Sequence, residues 1–205
     1  MRQNMLSRDH AVDVNLSANR AIVIQTIAHL IITRMTAELV YIGIGSNIGD
    51  SITIATEAIK QLNGIAQCQL TEQSSLYQSE PVSDIPQDDY INAVALIETT
   101  LEPLALLLEL QAIEQAFNRQ RDPKLHWAPR TLDLDIIVFG QRVINDEHLT
   151  VPHPEMANRL FVLLPMLEIS AKPFIPGLGS LQHLIDNAPL IQLHKINITP
   201  NNTVI

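Results

Sequence analysis

Apolar and polar positions along the chain fall into runs whose order predicts the fold. Leu39–Ile44 is continuously apolar and β-prone, and reads as a first buried strand. Gly45-Ser46-Asn47 turns the chain, and Asp50 or Ser51 caps a helix with Ile52, Ala55, Ile59 and Leu62 on one stripe. Leu70–Tyr77 reads as a second strand, followed by a polar loop over Gln78–Asp89 punctuated by Pro81 and Pro86. Tyr90–Thr99 resumes as a strand rich in Ile, Ala and Val. Pro103 suits the first turn of a strongly amphipathic helix running to about Phe117. A basic loop, Asn118–Pro129, leads into a strand ending at Phe139, with Leu132, Leu134, Ile136 and Val138 on its core face. Gly140-Gln141 would then open a hairpin into Val143-Ile144. A short helix around Met156–Leu164 is expected to stop near Pro165, and a last one near Leu181–Asn187 precedes an alternating tail.

The order β-α-β-β-α-β over residues 39–139 is ferredoxin-like, an α+β fold with a mostly antiparallel sheet packed by helices. The C-terminal helices and hairpin are additions to that core. A chain of 205 residues suits one domain, assigned to 37–205. Residues 1–36 read as an N-terminal extension, poorly ordered or non-essential, with Met35 as an alternative start. Its apolar run Ala21–Ile32 is interrupted by Gln25, Thr26 and His29 and falls short of the roughly 20 residues of a membrane span. No secretory leader pattern is evident.

Composition narrows the partners. The single Cys68 cannot form an internal disulfide, which points to a reducing, cytoplasmic setting. A net charge of −9 argues against general nucleic-acid binding. No Lys or Arg occurs between Gln61 and Asn118, after which Arg119, Arg121, Lys124 and Arg130 cluster around His126. Such a patch in an acidic protein suits a small polyanion such as a nucleoside triphosphate, although a solvated basic loop has the same composition.

The most informative run is Arg130-Thr131-Leu132-Asp133-Leu134-Asp135. On a strand, residues two apart share a face about 6–7 Å apart. Asp133 and Asp135 therefore point the same way, and paired carboxylates are hard oxygen ligands for Mg²⁺ when substrate phosphates complete the shell. Two ordinary solvent-facing aspartates would look the same in isolation. Gly43-Ile44-Gly45-Ser46-Asn47-Ile48-Gly49 sits between strand and helix as a dinucleotide fingerprint would, but its third glycine is one position late. Tight-turn glycines explain it better.

Several segments together resemble the 6-hydroxymethyl-7,8-dihydropterin pyrophosphokinase family of folate biosynthesis. They are Tyr41–Asn47, Ser75–Val82, Asp89-Tyr90-Ile91-Asn92, Arg119-Gln120-Arg121, Trp127–Ile136 and Val151–Arg159, spanning about Leu39 to Asn187. The resemblance implies transfer of pyrophosphate from ATP to the pterin hydroxymethyl oxygen, with release of AMP. It implies that Asp133 and Asp135 hold two Mg²⁺ ions, and that Arg119, Arg121 and Arg130 act as catalytic arginines at a mobile loop. ATP would be met by Gln111, Glu114, Arg119, Arg130, Ile136, His153 and Arg159. The pterin would be met by Ser79, Pro81, Val82, Tyr90, Asn92, Trp127 and Phe161. Asn92 suits the heterocycle's edge because a carboxamide both donates and accepts. The sequence departs from the family at Ala128 and Asn118, where glycines are usual, at His126, in a loop one residue longer, and at His148 and Pro154.

A monomer acting on small molecules is expected, without nucleic acid or membrane. The competing readings are a non-catalytic nucleotide- or pterin-binding module of the same fold and, more weakly, a metal-dependent phosphohydrolase.

Overall fold

Strand β1 (Glu38–Ser46) occupies the middle of the sheet, with Val40, Ile42, Gly43, Ile44 and Ser46 buried. The computed structural model describes residues 37–82, 85–119, 128–170 and 174–197. The expectations for the extension over 1–36, and for Arg121, Lys124, His126 and Trp127 in the basic loop, lie outside the described residues.

The chain continues through α1 (Ser51–Leu62), β2 (Cys68–Gln73), β3 (Tyr77–Ser79), β4 (Tyr90–Thr99), α2 (Pro103–Ala116) and β5 (Asp133–Phe139). There follow β6 (Ile144–Asn145), β7 (Thr150–Val151), a 3₁₀ turn at Met156–Asn158, and α3 (Leu160–Ile169). Then come β8 (Phe174–Ile175), β9 (Gly179–Ser180), α4 (Leu181–Asn187) and β10 (Leu193–Lys195). The main sheet runs β10-β3-β4-β1-β5, with β2 also on β4, and every pairing is antiparallel. Placing β1 between β4 and β5, the two strands joined by α2, is the ferredoxin-like arrangement. One apolar cluster joins α1 and α2 to the sheet through Ala55, Leu62, Leu106 and Leu110. A second joins α3 and α4 to the opposite face through Val94, Val138, Leu163, Met166 and Leu184.

Local chemistry accounts for most boundaries. The Asp50 carboxylate caps α1 by accepting from the Thr53 amide at 3.2 Å. Pro103 opens α2, where no intrahelical donor is needed. α2 ends in a Schellman turn: the Asn118 amide donates to Gln115 O, the Arg119 amide donates to Glu114 O, and Asn118 has φ +58°. Asparagine tolerates that left-handed conformation, so Asn118 does the work of the more usual glycine.

Five expectations need correction. The second strand is two, β2 and β3, because Ser74 Oγ accepts the Val94 amide at 2.9 Å and takes over a place in the ladder. A register shift opposite Tyr41/Ile42 sends Val138 into the α3/α4 cluster, while Phe139 joins Leu132, Leu134 and Ile136. Helix α2 is not strongly amphipathic, since it exposes Leu104 and Leu108 as well as burying Leu106 and Leu110. The hairpin pairs β6 with β7, not with β5. Pro165 lies inside α3; burial of Val162, Leu163 and Met166 holds the helix past the missing amide. Among the described residues, no helix is long and apolar enough to cross a membrane.

Candidate active site

The C-terminal half of β1, the start of β4 and the start of β5 lie side by side, and their ends form the floor of a cleft. Gly43 and Gly45 line it from within β1. They are not turn residues, contrary to the sequence expectation. A side chain at Gly43 would meet Ile137 Cδ1 at 2.9 Å, and one at Gly45 would stand 3.7 Å from Asn92 Oδ1 and 3.8 Å from Asp133 Cβ. The missing side chains keep that floor open.

One wall carries Ser79, Val82, Tyr90, Asn92 and Phe161. Asn92 is buried, and its Nδ2 donates to Ser79 Oγ at 3.0 Å and to Tyr90 O at 3.4 Å. Both amide protons are thereby engaged, so the group it offers toward Gly45 is its carbonyl oxygen, an acceptor. Tyr90 donates its hydroxyl to Gln87 Oε1 at 3.0 Å. Burial pushes the Tyr90 phenol upward, against the pull of Arg130. Phe161 stands under the Arg159 guanidinium, 5.9 Å from its ring centre.

The other wall carries charge. Asp133 and Asp135 share a face of β5, as the strand period requires. Asp133 is held between Arg119 Nη1 at 2.6 Å and Arg130 Nη1 at 2.5 Å. Asp135 stands farther from its neighbours among the described residues, with Arg159 Nη1 at 4.0 Å and the His153 ring, through Nε2, at 3.9 Å. Burial and the neighbouring charge of Asp133 push the Asp135 carboxyl well above the ordinary carboxylate range, against the pull of Arg159. His153 Nδ1 accepts the Glu155 amide at 3.1 Å, which leaves Nε2 to carry the proton facing Asp135. Burial, with Arg159 nearby, holds His153 down at about 4, so the ring is neutral near pH 7.

Glu114 is buried at the end of α2, where its Oε1 accepts the Leu134 amide at 2.9 Å and also meets the Arg119 guanidinium. It thus grips the residue between the two aspartates and an arginine bound to one of them. Gln111, Glu114, Arg119, Ile136 and His153 are not among the residues lining the cleft, although Arg119 holds Asp133 and His153 borders Asp135. Pro81 lies beside it in sequence without lining it. The sequence reading missed Gln87, Glu155 and Asn158, which do line it, and Asn47, which braces it.

Among the described residues, no three His, Cys, Asp or Glu side chains gather as a metal cage. The Asp133/Asp135 pair fits Mg²⁺ in the carboxylate-plus-phosphate manner. Its donors are hard oxygens on one face of the strand.

Residues 41–171 match the family model described as 7,8-dihydro-6-hydroxymethylpterin-pyrophosphokinase. The chain is 40% identical over 157 residues to the 2-amino-4-hydroxy-6-hydroxymethyldihydropteridine pyrophosphokinase of Haemophilus influenzae, covering 77% of this chain and 97% of that one. It is 43% identical over 131 residues to the protein of that name in Bacillus subtilis, covering 64% and 77%. Among solved structures, a Plasmodium falciparum HPPK-DHPS chain aligns with TM-score 0.63 at 12% identity, over 82% of this chain and 49% of that one. This chain thus spans about half the length of that two-part protein, and at such identity the likeness speaks for the fold alone. The chain belongs to the 7,8-dihydro-6-hydroxymethylpterin-pyrophosphokinase family, enzymes that transfer a pyrophosphoryl group to the hydroxymethylpterin in folate biosynthesis.

Proposed function

We propose that the cleft binds reduced hydroxymethylpterin against Asn92, Tyr90 and Phe161, and the triphosphate of ATP against Arg119, Arg130, Arg159 and His153. The carrying observation is that Tyr90, Asn92 and Phe161 line one cleft together with Arg130, Arg159, Asp133 and Asp135. The hydroxymethyl oxygen attacks the β-phosphorus of ATP and forms a new O–P bond. The bond from that phosphorus to the α,β-bridging oxygen breaks, AMP departs, and the hydroxyl proton passes to solvent. Such a transfer asks for alignment and charge neutralisation more than for covalent chemistry.

The residues divide that work. Asp133 and Asp135 would hold two Mg²⁺ ions, which supply charge neutralisation at the phosphates and acidify the attacking hydroxyl. Arg119 and Arg130, bound to Asp133 before substrate arrives, shift to phosphate oxygens, which they grip bidentately. His153 presents Nε2–H to the triphosphate as a neutral donor. Asn92 accepts from the pterin's N–H edge, and Phe161 stacks on its face. Ser79, Pro81 and Val82 supply the loop along that edge, Ile136 and Gln111 border the nucleotide side, and Glu114 acts through Arg119 and the Leu134 amide. Arg121 and Trp127 belong to the same proposal by family resemblance. Residues 37–205 act as one cytoplasmic, monomeric domain, for which 1–36 is dispensable.

The test incubates the protein with Mg-ATP and the reduced pterin alcohol. Pterin-dependent AMP supports the reading. ADP, or phosphate released without pterin, contradicts it, and tight binding of both ligands with no turnover favours the non-catalytic module.

A further inference from the structure

Strand β3 is three residues long, yet it ends on Ser79, whose hydroxyl accepts Asn92 Nδ2 at 3.0 Å, and leads into Glu80 and Val82. Ser79, Glu80, Val82 and Asn92 all line the cleft on the side assigned to the pterin. A strand so short has little hold of its own on β4. Its other edge is covered along its whole length by β10, which pairs Leu193 with Ser79, His194 with Gln78 and Lys195 with Tyr77. The pairing continues where the Ile196 amide donates to Leu76 O at 2.8 Å. The Gln192 amide adds a bond to Glu80 Oε1 at 3.3 Å.

Helix α3 ties this edge down. Glu168 accepts Lys195 Nζ at 2.9 Å, the Tyr77 hydroxyl at 2.9 Å, and the hydroxyl and amide of Ser75 at 2.8 and 3.2 Å. One carboxylate thus joins α3 to β3, to the residue ahead of Leu76, and to β10. The same helix carries Phe161 into the cleft. Lys195, Tyr77, Asn92, Gly45 and Asp133 stand in one row across five strands. Residues in register share a face, so the knot at Glu168 and the cleft lie on the same face of the sheet.

We infer that β10 is a positioning element of the pterin site: paired with β3 and locked by Glu168, it holds Ser79 and Glu80 in the wall that takes the heterocycle. Without it β3 becomes an edge held on one side only, and Ser79 no longer fixes which end of the Asn92 carboxamide meets the ligand. By linkage, pterin binding tightens β10 in return by the same factor. The nucleotide side, built on β5 at the opposite edge of the sheet, feels neither effect. This inference rests on the pyrophosphokinase reading.

The experiment uses the full chain as wild type, His194→Pro, His194→Ala and Glu168→Gln. The Ile196 amide points at β3, so the amide two residues earlier, that of His194, points there too. Proline removes that amide and alanine keeps it, while the His194 side chain is exposed in either case. Titration gives the dissociation constant of Mg²⁺ and α,β-methylene-ATP alone, and that of the reduced pterin alcohol at saturating nucleotide. His194→Pro should weaken pterin binding about 10-fold or more and Glu168→Gln about 3-fold or more, with the nucleotide within about 2-fold of wild type. His194→Ala should match wild type for both ligands. In wild type, adding pterin to the nucleotide complex should slow hydrogen exchange over residues 193–197 at least about 5-fold, and this decides the matter if His194→Pro does not fold. A merely structural β10 would lower Tm in His194→Pro with pterin binding unchanged, or weaken both ligands equally. Either result overturns the inference, as does exchange over 193–197 that ignores pterin. AMP release by the wild type checks the underlying reading separately: no AMP overturns that reading and the inference together, while AMP with any of those three results overturns the inference alone.

Discussion

Glu114 accepts the Leu134 amide at 2.9 Å, although Glu114 ends a helix and Leu134 sits between the two aspartates of β5. The same oxygen meets Arg119, so helix α2, strand β5 and an arginine of the site share one buried carboxylate. Glu114→Gln keeps an oxygen for Leu134 but loses the charge that holds Arg119. It should keep Tm close to wild type while kcat falls about 10-fold, the scale of one lost positioning interaction. Glu114→Ala strands the buried Leu134 amide at a cost of about 1–3 kcal/mol and should lower Tm by several degrees. Thermal melts beside steady-state kinetics check both, and equal kcat in Glu114→Gln and wild type contradicts the assignment.

Asn118 provides the left-handed residue that turns α2 toward Arg119. Asn118→Gly should leave stability within about 1 kcal/mol of wild type, since glycine takes positive φ without strain. Asn118→Val forces a β-branched residue into that conformation and should lower both Tm and kcat. Urea titration with turnover assays distinguishes the outcomes, and a Val variant as active as wild type would show that Arg119 does not depend on this turn.

Gly45 lies on the cleft floor with Asn92 Oδ1, Asp133 Cβ and Tyr90 Cδ1 between 3.7 and 3.9 Å from where a Cβ would be. Alanine fits at ordinary contact, whereas valine projects two methyls into the cleft. Gly45→Val should raise the KM for pterin about 10-fold or more with a much smaller effect on the KM for ATP, consistent with loss of roughly 1.4 kcal/mol of binding. Comparable rises in both constants would place Gly45 outside the pterin subsite.

Glu168 gives the fold a defined acid sensitivity. Burial alone would raise its carboxyl, but donors from Lys195, Ser75 and Tyr77 override this and hold it down at about 2. A depressed carboxylate stabilises the folded state above its unfolded value, which is 4.5 for this group, and that contribution is lost as pH falls from there toward 2. Wild type should therefore lose stability between pH 4.5 and 2 more steeply than Glu168→Gln. Denaturant midpoints measured across that window test it, and parallel slopes would contradict it.

Where the information is local, the sequence is legible. Tyr90–Thr99, the helix from Pro103 and Leu181–Asn187 follow from periodicity and capping, and the strand period alone places Asp133 and Asp135 on one face. The parts that were not legible depend on distant partners. Ser74 breaks a strand only because Val94 is opposite, and Pro165 stays helical only because Leu163 and Met166 are buried across the sheet. Asn47 meets Gln87 and Arg130 across 40 and 83 residues, a spacing no local pattern reveals. Gly43 and Gly45 resemble turn glycines in sequence because absence of a side chain carries no sign of whether the backbone bends or a ligand approaches.

The most direct measurement is electron paramagnetic resonance of Mn²⁺ bound in the presence of α,β-methylene-ATP and pterin. It compares wild type with Asp133→Asn and Asp135→Asn, isosteric changes that remove one charge each. Wild type should hold two magnetically coupled ions per chain about 3.5–4 Å apart. Each variant should lose the coupled signal and pterin-dependent AMP formation while remaining folded. A coupled Mn²⁺ pair that persists unchanged in both variants would contradict the assignment of these two carboxylates as the metal-gathering centre.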